Sequence, residues 1–504
     1  MGSNTDAHFT VPPPPRSPLI ATTLLALLLA ATSHAAQRPD TIAHTWQGTI
    51  EKDRGPILPP YRYDLTLTIA QATPGHLTAS LYAPVWGETD WPCEGTLEDG
   101  GLVTLSFTDA QRRKGLFKLQ LGDADRTLFG QYAWKISAFE EKDYRVRLTR
   151  LDAPATRPAR PPADAQIPVP PFPYAQERVV FKNGDLRIAG LLTLPPGAAS
   201  HPAIVLIPGS EPHTVDPEIP GSPESEPWLW VIADHLTRAG YATLRTDSRG
   251  VGGTAGDFDQ ATLQDLAADA QAAVTFLGSR KEIDPVRLGL VGHSQGATVA
   301  AIAAARDQHV RFLVMLGVGG QRGDRVMLDQ LNARWDMIPR AHQLPESFHL
   351  MSVRIIELAV AGTPEPEIRQ RITSEFARLP ELAKLATPSY IAERAKFVTG
   401  LRWRSVLRHD PRDDLNHCRV PVLAMSGEKD FLVDPKQNLP AVRDAIRAGG
   451  NPDVSVITLP GLDHSFRKWH TKPELPPPGE LIDPAALTQL EEWLDQHVAR
   501  PKHP

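Results

Sequence analysis

The stretch Val286-Arg287-Leu288-Gly289-Leu290-Val291-Gly292-His293-Ser294-Gln295-Gly296-Ala297 constrains this chain more than any other. A short apolar run enters a Gly-x-Ser-x-Gly turn, and an Ala-rich run over 298–305 leaves it with a helical pattern. A strand that turns sharply into a helix lifts a serine Oγ clear of its sheet. Gly292 and Gly296 suit such a turn because neither side of the serine has room for a Cβ. The pentapeptide also recurs by chance in long chains. A glycine-lined turn holding an inert serine is therefore the competing account, and the surrounding elements must decide.

Further apolar runs lie at 203–207, 241–246, 312–316, 422–426 and 454–459, with helical patterns at 228–239 and 261–277 between them. Alternation of this kind predicts a mostly parallel sheet covered by helices on both faces. Ahead of it, Asn183-Gly184 separates the runs 177–181 and 186–194, which read as an antiparallel hairpin. A helix-patterned insertion, 320–409, falls between two strands, where a lid over a site would be.

In such a sheet ligands bind beyond the carboxyl ends of the strands. Three candidate groups fall there: Ser294 in the turn, Asp430 after 422–426, and His464 after 454–459. A serine hydroxyl becomes a nucleophile when an imidazole takes its proton, and the imidazole needs a carboxylate to fix its tautomer. The chain order Ser, Asp, His is the one α/β-hydrolases use. Their tetrahedral oxyanion needs pre-aimed donors, here the backbone N–H of Gln295 and that of Ser210 after the 203–207 run. Asp434 competes with Asp430 for the acid role but lies farther from the strand end. Asp463 reads as loop structure, His293 as packing, and Asp247-Ser248-Arg249-Gly250 as a turn whose charges brace loops.

The rest of the chain bounds this reading. Its 504 residues allow more than one domain, and 41% hydrophobic with 22% charged residues is ordinary for a globular protein. A net charge of −6 argues against a nucleic-acid partner. The two cysteines, Cys93 and Cys418, allow at most one bridge. Residues 1–35 have the basic, apolar and small-residue pattern of a secretory signal cleaved after Ala35, with an apolar run too short to span a bilayer. Export to the periplasm or medium follows, without stable membrane insertion after cleavage. Short alternating runs over 37–151 predict a small all-β sandwich or barrel, in which Trp46, Trp86, Trp91 and Trp134 read as packing more readily than as a binding surface. The Pro-rich segment 152–173 is an extended linker, and 174–500 is the catalytic domain. No nucleotide or metal motif stands out, so no cofactor is expected.

The chain resembles the bacterial EstD-like carboxylesterases, related to the dienelactone-hydrolase and prolyl-oligopeptidase-like groups. The resemblance rests on Ile207-Pro208-Gly209-Ser210, the segment 244–252, Gly292-His293-Ser294-Gln295-Gly296, the segment 421–430 and Leu459-Pro460-Gly461-Leu462-Asp463-His464-Ser465-Phe466. It implies an α/β-hydrolase fold and hydrolysis of short-chain carboxylic esters, as small-molecule substrates, by Ser294, His464 and Asp430. Glu211 stands where the family usually has a second glycine, and Asp463 where it tends to have asparagine. Two other readings stay open. One is a peptidase, amidase or thioesterase with the same triad, the other a cell-wall or carbohydrate-binding module carrying a relict hydrolase domain.

Overall fold

The computed structural model describes residues 42–52, 61–73, 76–82, 91–98, 101–108, 114–122, 126–136 and 139–151, then residues 166 and 168, 171–197, 200–215, 228–337, 346–378, 388–469 and 481–498. Residues 1–35, read above as a secretory signal, and most of the Pro-rich linker lie outside them.

Eight strands come first: β1 Thr45–Lys52, β2 Tyr61–Thr73, β3 His76–Tyr82, β4 Trp91–Leu97, β5 Leu102–Thr108, β6 Lys114–Gly122, β7 Thr127–Ile136 and β8 Phe139–Arg150. Each pairs antiparallel with the next, and β8 returns to β1, so the sheet closes as an up-and-down barrel. Closure removes the edges a sandwich would leave. The alternation in each strand sends one set of side chains inward, where Trp46, Leu65, Leu105, Phe117, Leu119 and Tyr132 fill the interior. Trp46 is wholly buried and donates its indole N–H to Ile42 O at 3.1 Å, while Trp91 packs on Phe107 at 5.0 Å. These two tryptophans build the barrel; Trp86 and the Trp134 side chain lie outside the description.

The second unit is an eight-stranded sheet. It begins with the hairpin β9 Ala175–Asn183 and β10 Leu186–Leu194, in which Asn183 pairs with Leu186. The two-residue loop is therefore Gly184-Asp185, one position later than the Asn-Gly reading, and Gly184 takes the positive φ of +56° that such a loop needs. Strands β11 His201–Ile207, β12 Ala242–Thr246, β13 Ile283–His293, β14 Phe312–Leu316, β15 Val422–Gly427 and β16 Val454–Leu459 follow, giving the order β16-β15-β14-β13-β11-β12-β10-β9. The contacts from β16 through to β12 are parallel, whereas β10 joins β12 and β9 antiparallel. The sheet is thus mixed, its antiparallel edge being the hairpin.

Helices cover both faces. Helices α1 Trp228–Arg238 and α11 Pro484–His497 bury Ile232, Leu236, Leu490 and Leu494 on one side. Helices α2 Leu263–Gly278, α3 Gln295–Arg306 and α10 Pro435–Ala448 bury Val274, Ile302 and Val442 on the other. Between β14 and β15 lie α4 Gly323–Met337, α5 Glu346–Ala361, α6 Glu365–Arg378, α7 Pro388–Thr399, α8 Leu401–Arg408 and the short α9 Arg412–Leu415. The insertion has its own core, built on Phe348, Ile355, Ile368, Ile372, Phe376 and Leu407. Cys93 and Cys418 are both buried and free.

Candidate active site

Ser294 sits where β13 becomes α3, with φ 53° and ψ −121°. A residue with a Cβ rarely takes that conformation, and it persists only where its surroundings enforce it. Here Ser294 N–H donates to Leu316 O at 2.8 Å, and Ala297 N–H to Ser294 O at 3.0 Å. A methyl on Gly292 would lie 2.2 Å from Gly296 O, and one on Gly296 would lie 2.2 Å from Pro208 O. Both glycines are fixed by close backbone approach. The Ser294 side chain makes no capping hydrogen bond to α3 and faces a cleft.

Asp430 follows β15 with a carboxylate that is 0% exposed. Its Oδ1 accepts from Leu432 N–H at 3.0 Å and Val433 N–H at 2.8 Å, leaving Oδ2 to His464 Nδ1 at 2.7 Å. His464 lies in the loop after β16, which is tied to the acid's loop through Lys429 N–H on Leu462 O, 2.8 Å. Burial works to hold the His464 imidazole down, but the Asp430 charge and hydrogen bond outweigh it, so its pKa is raised above the ordinary value. No hydrogen bond joins Ser294 to His464 among the described residues. Such contacts are often long until a substrate tightens them. Gly317 lines the cleft with Ser294, and a methyl on it would lie 3.0 Å from His464 Cε1.

The neighbouring carboxylates serve the backbone. Asp434 caps α10 through Lys436 N–H at 3.0 Å, and Asp463 accepts from Ser465 N–H and Arg467 N–H, both at 2.9 Å. Asp247 accepts from Val215 and Gly253 N–H at 2.7 Å each, and Arg249 grips Asp269 with two nitrogens at 2.6 and 2.9 Å. His293 is packed against the indole of Trp228 at 4.4 Å, and burial first of all drops its pKa to about 3. It also does what sequence reasoning missed: its Nε2 lies 3.0 Å from His464 O, so the neutral ring donates there and steadies the histidine loop.

Ser210 and Gln295 border the same cleft as Ser294. Gln295 is the first residue of α3, where a backbone N–H has no intrahelical partner. The cleft opens to solvent between the strand ends and the insertion, lined by Val326, Met327, Gln330, Trp403, Val406 and His409 among others. Sequence reasoning also missed Arg402, whose Nη1 donates to Ser210 O at 2.8 Å and to Gln295 Oε1 at 3.0 Å.

Residues 220–467 match the hydrolase family described as serine aminopeptidase, S33. The match spans the strained serine turn and the Asp430–His464 pair. The chain has the α/β-hydrolase fold. Esterase EstD of Thermotoga maritima is 24% identical to it over 323 residues, covering 62% of this chain and 68% of that protein. Among solved structures, Est1E of Butyrivibrio proteoclasticus with bound ferulic acid is 17% identical, with 64% of this chain and 100% of that one covered at a TM-score of 0.39. The Pyrococcus furiosus esterase Pf2001 is 16% identical, with 65% and 92% covered at 0.38. Within this α/β-hydrolase fold the helical insertion lies after β14, on the side of the sheet where ligands of open α/β folds bind.

Proposed function

We propose that this chain is an exported serine esterase that cleaves short-chain carboxylic esters through an acyl-enzyme. The observation that carries the reading is a serine held at φ 53° and a buried carboxylate–imidazole pair, each at the end of a parallel strand of one sheet. Ser294 attacks the ester carbonyl while His464 Nε2 takes its proton, and His464 returns it to the leaving alcohol. Water then repeats the sequence on the acyl-enzyme. Asp430 holds Nδ1–H and stabilises the imidazolium. The backbone N–H groups of Gln295 and Ser210 receive the oxyanion.

The described lining of the cleft sets apolar Val326, Met327, Trp403, Val406 and Val433 beside the amides Gln321 and Gln330, Thr298 and His409. An uncharged acyl group of modest size fits such a surface. The family description keeps a peptidase reading alive. An α-ammonium group, however, calls for a carboxylate receptor, and the described lining holds no aspartate or glutamate. Matched p-nitrophenyl ester and p-nitroanilide substrates separate the two. The expected result is a kcat/KM for the butyrate ester at least about 10³-fold above that of the anilide, since the amine leaving group needs proton delivery that the alcohol scarcely requires. Comparable values would move the peptidase reading ahead.

Export rests on the basic, apolar and small-residue pattern of residues 1–35. Terminal sequencing of protein recovered outside the cytoplasm should begin at Ala36. Recovery of the full chain from the cytoplasm would remove this part of the proposal.

A further inference from the structure

Helix α8 contains Arg402, Arg404 and Arg408, and only the first of these is buried, at 3% exposure. Taking a guanidinium out of water is costly unless its surroundings replace the lost hydration. Here one nitrogen, Nη1, meets two acceptors, Ser210 O and Gln295 Oε1. The planar group is flanked by two aromatic faces, Phe258 at 4.5 Å and Trp403 at 4.8 Å. Burial pulls its pKa down, while the charges of Glu211 and Asp259 oppose that pull. Glu211 directly follows Ser210, at the position the resemblance marks as a departure. The departure in the oxyanion loop and the arginine in the insertion therefore face each other electrostatically.

We propose that Arg402 is a positioning residue for the oxyanion hole, so that the insertion completes the catalytic machinery as well as covering it. The inference rests on the assignment of Ser210 and Gln295 as oxyanion donors. The Ser210 N–H lies in the peptide plane it shares with Gly209, and the carbonyl that Arg402 holds lies in the next plane, so the grip restrains that N–H through the Ser210 Cα that joins the two planes. Arg402 grips the carbonyl of Ser210 and the side chain of Gln295 with one nitrogen, which sets the spacing between the loop after β11 and the start of α3. The end of the insertion that carries it is itself anchored. Ser405 Oγ accepts from Leu263 N–H at 3.0 Å and donates to Arg402 O at 2.8 Å. Gly323 packs so closely on α8 that a methyl there would lie 1.8 Å from Val406 O. Helix α8 is thus part of the rigid frame, and any opening of the insertion must leave it in place or unmake the hole.

The test compares Arg402→Met with Arg402→Lys on p-nitrophenyl butyrate. Each folded variant is also titrated with a trifluoromethyl ketone, which forms a tetrahedral adduct, and with the matching secondary alcohol, which does not. Methionine keeps an unbranched apolar stem and removes the donors; lysine keeps a cation able to donate to both acceptors. Misaimed donors should cost Arg402→Met about 10²-fold in kcat. KM should move by less than about threefold, because the lost interaction belongs to the transition state. Affinity for the ketone should fall by the same factor as kcat, affinity for the alcohol should hold, and Arg402→Lys should recover most of both. Unchanged kcat, equal losses for ketone and alcohol, or equal behaviour of the two variants would overturn the proposal. If Arg402→Met does not fold, Arg402→Gln, which replaces the cation by a neutral amide on a shorter stem, decides in its place. A ketone affinity reduced several-fold with the alcohol unchanged supports the role, and identical affinities for wild type and variant refute it. Fluorophosphonate labelling of wild type at Ser294 is the control. Its failure would remove the nucleophile assignment, whereas labelling with inert Arg402 variants would remove this inference only.

Discussion

Ser294→Ala should abolish ester turnover, by about 10⁶-fold in kcat, the scale on which serine hydrolases depend on their nucleophile. The fold should not notice. The strained φ of 53° is imposed by the hydrogen bond to Leu316 O and by the close approach of Gly296 to Pro208 O, neither of which involves the serine hydroxyl. Alanine keeps the Cβ and loses only an oxygen that caps nothing in α3. The thermal midpoint should therefore stay within about 4 °C of wild type, as a change under 1 kcal/mol implies for a domain of this size. A fluorophosphonate probe should label the wild type at this serine and leave the variant unlabelled. Retained turnover would sink the assignment. Lost turnover with a collapsed melting curve would mean that the oxygen had a structural partner, and labelling of the wild type would then have to carry the assignment alone.

The elbow was legible because its requirements are local. Two glycines, an apolar run before them and an alanine-rich run after them state a strand–turn–helix without reference to anything distant. The positions of Asp430 and His464 followed from a rule about strand ends, and the structure brings those two side chains together. Local reading fails where a partner is remote in sequence. Nothing in Leu-Arg-Trp-Arg-Ser-Val-Leu-Arg separates Arg402 from Arg404 or Arg408, since only the packing of α8 against Phe258 and Gln295 buries one of them. His293 looked like simple packing because its hydrogen-bond partner is the carbonyl of a residue 171 positions away. Closure of the barrel depends on β1 finding β8 across the whole domain, which alternation within single strands does not encode. The mixed character of the main sheet has the same origin: the runs of β9 and β10 look like hairpin strands wherever they dock, and the register of β10 on β12 makes them its antiparallel edge.

Asp430→Asn should cost about 10⁴-fold in kcat while leaving the loop in place, the scale seen when a triad acid becomes an amide. The reason lies in how the carboxylate is used. Oδ1 accepts from two backbone N–H groups, Leu432 and Val433, and Oδ2 accepts from His464 Nδ1. An asparagine has one acceptor oxygen, and two buried backbone donors claim it, because leaving them unpaired is costly. The amide NH₂ then faces Nδ1, which must turn from donor to acceptor. That forces the imidazole proton onto Nε2, the atom that has to receive the serine proton, and general-base catalysis stops. The same substitution moves the pH profile. In the wild type the base must be neutral, and its pKa is raised, burial being outweighed by the Asp430 charge and hydrogen bond, so kcat/KM should fall as pH drops through a value above the ordinary 6.5. With the carboxylate gone, burial acts against the imidazolium without that opposition, and the acid limb should shift below 6.5 in whatever activity remains. Asp434→Asn should cost no more than a helix cap, because Asp434 meets Lys436 N–H while His464 Nδ1 pairs with Asp430. An acid limb that stays put in Asp430→Asn, or moves in Asp434→Asn, would transfer the acid role away from Asp430 and with it the geometry on which the esterase reading stands.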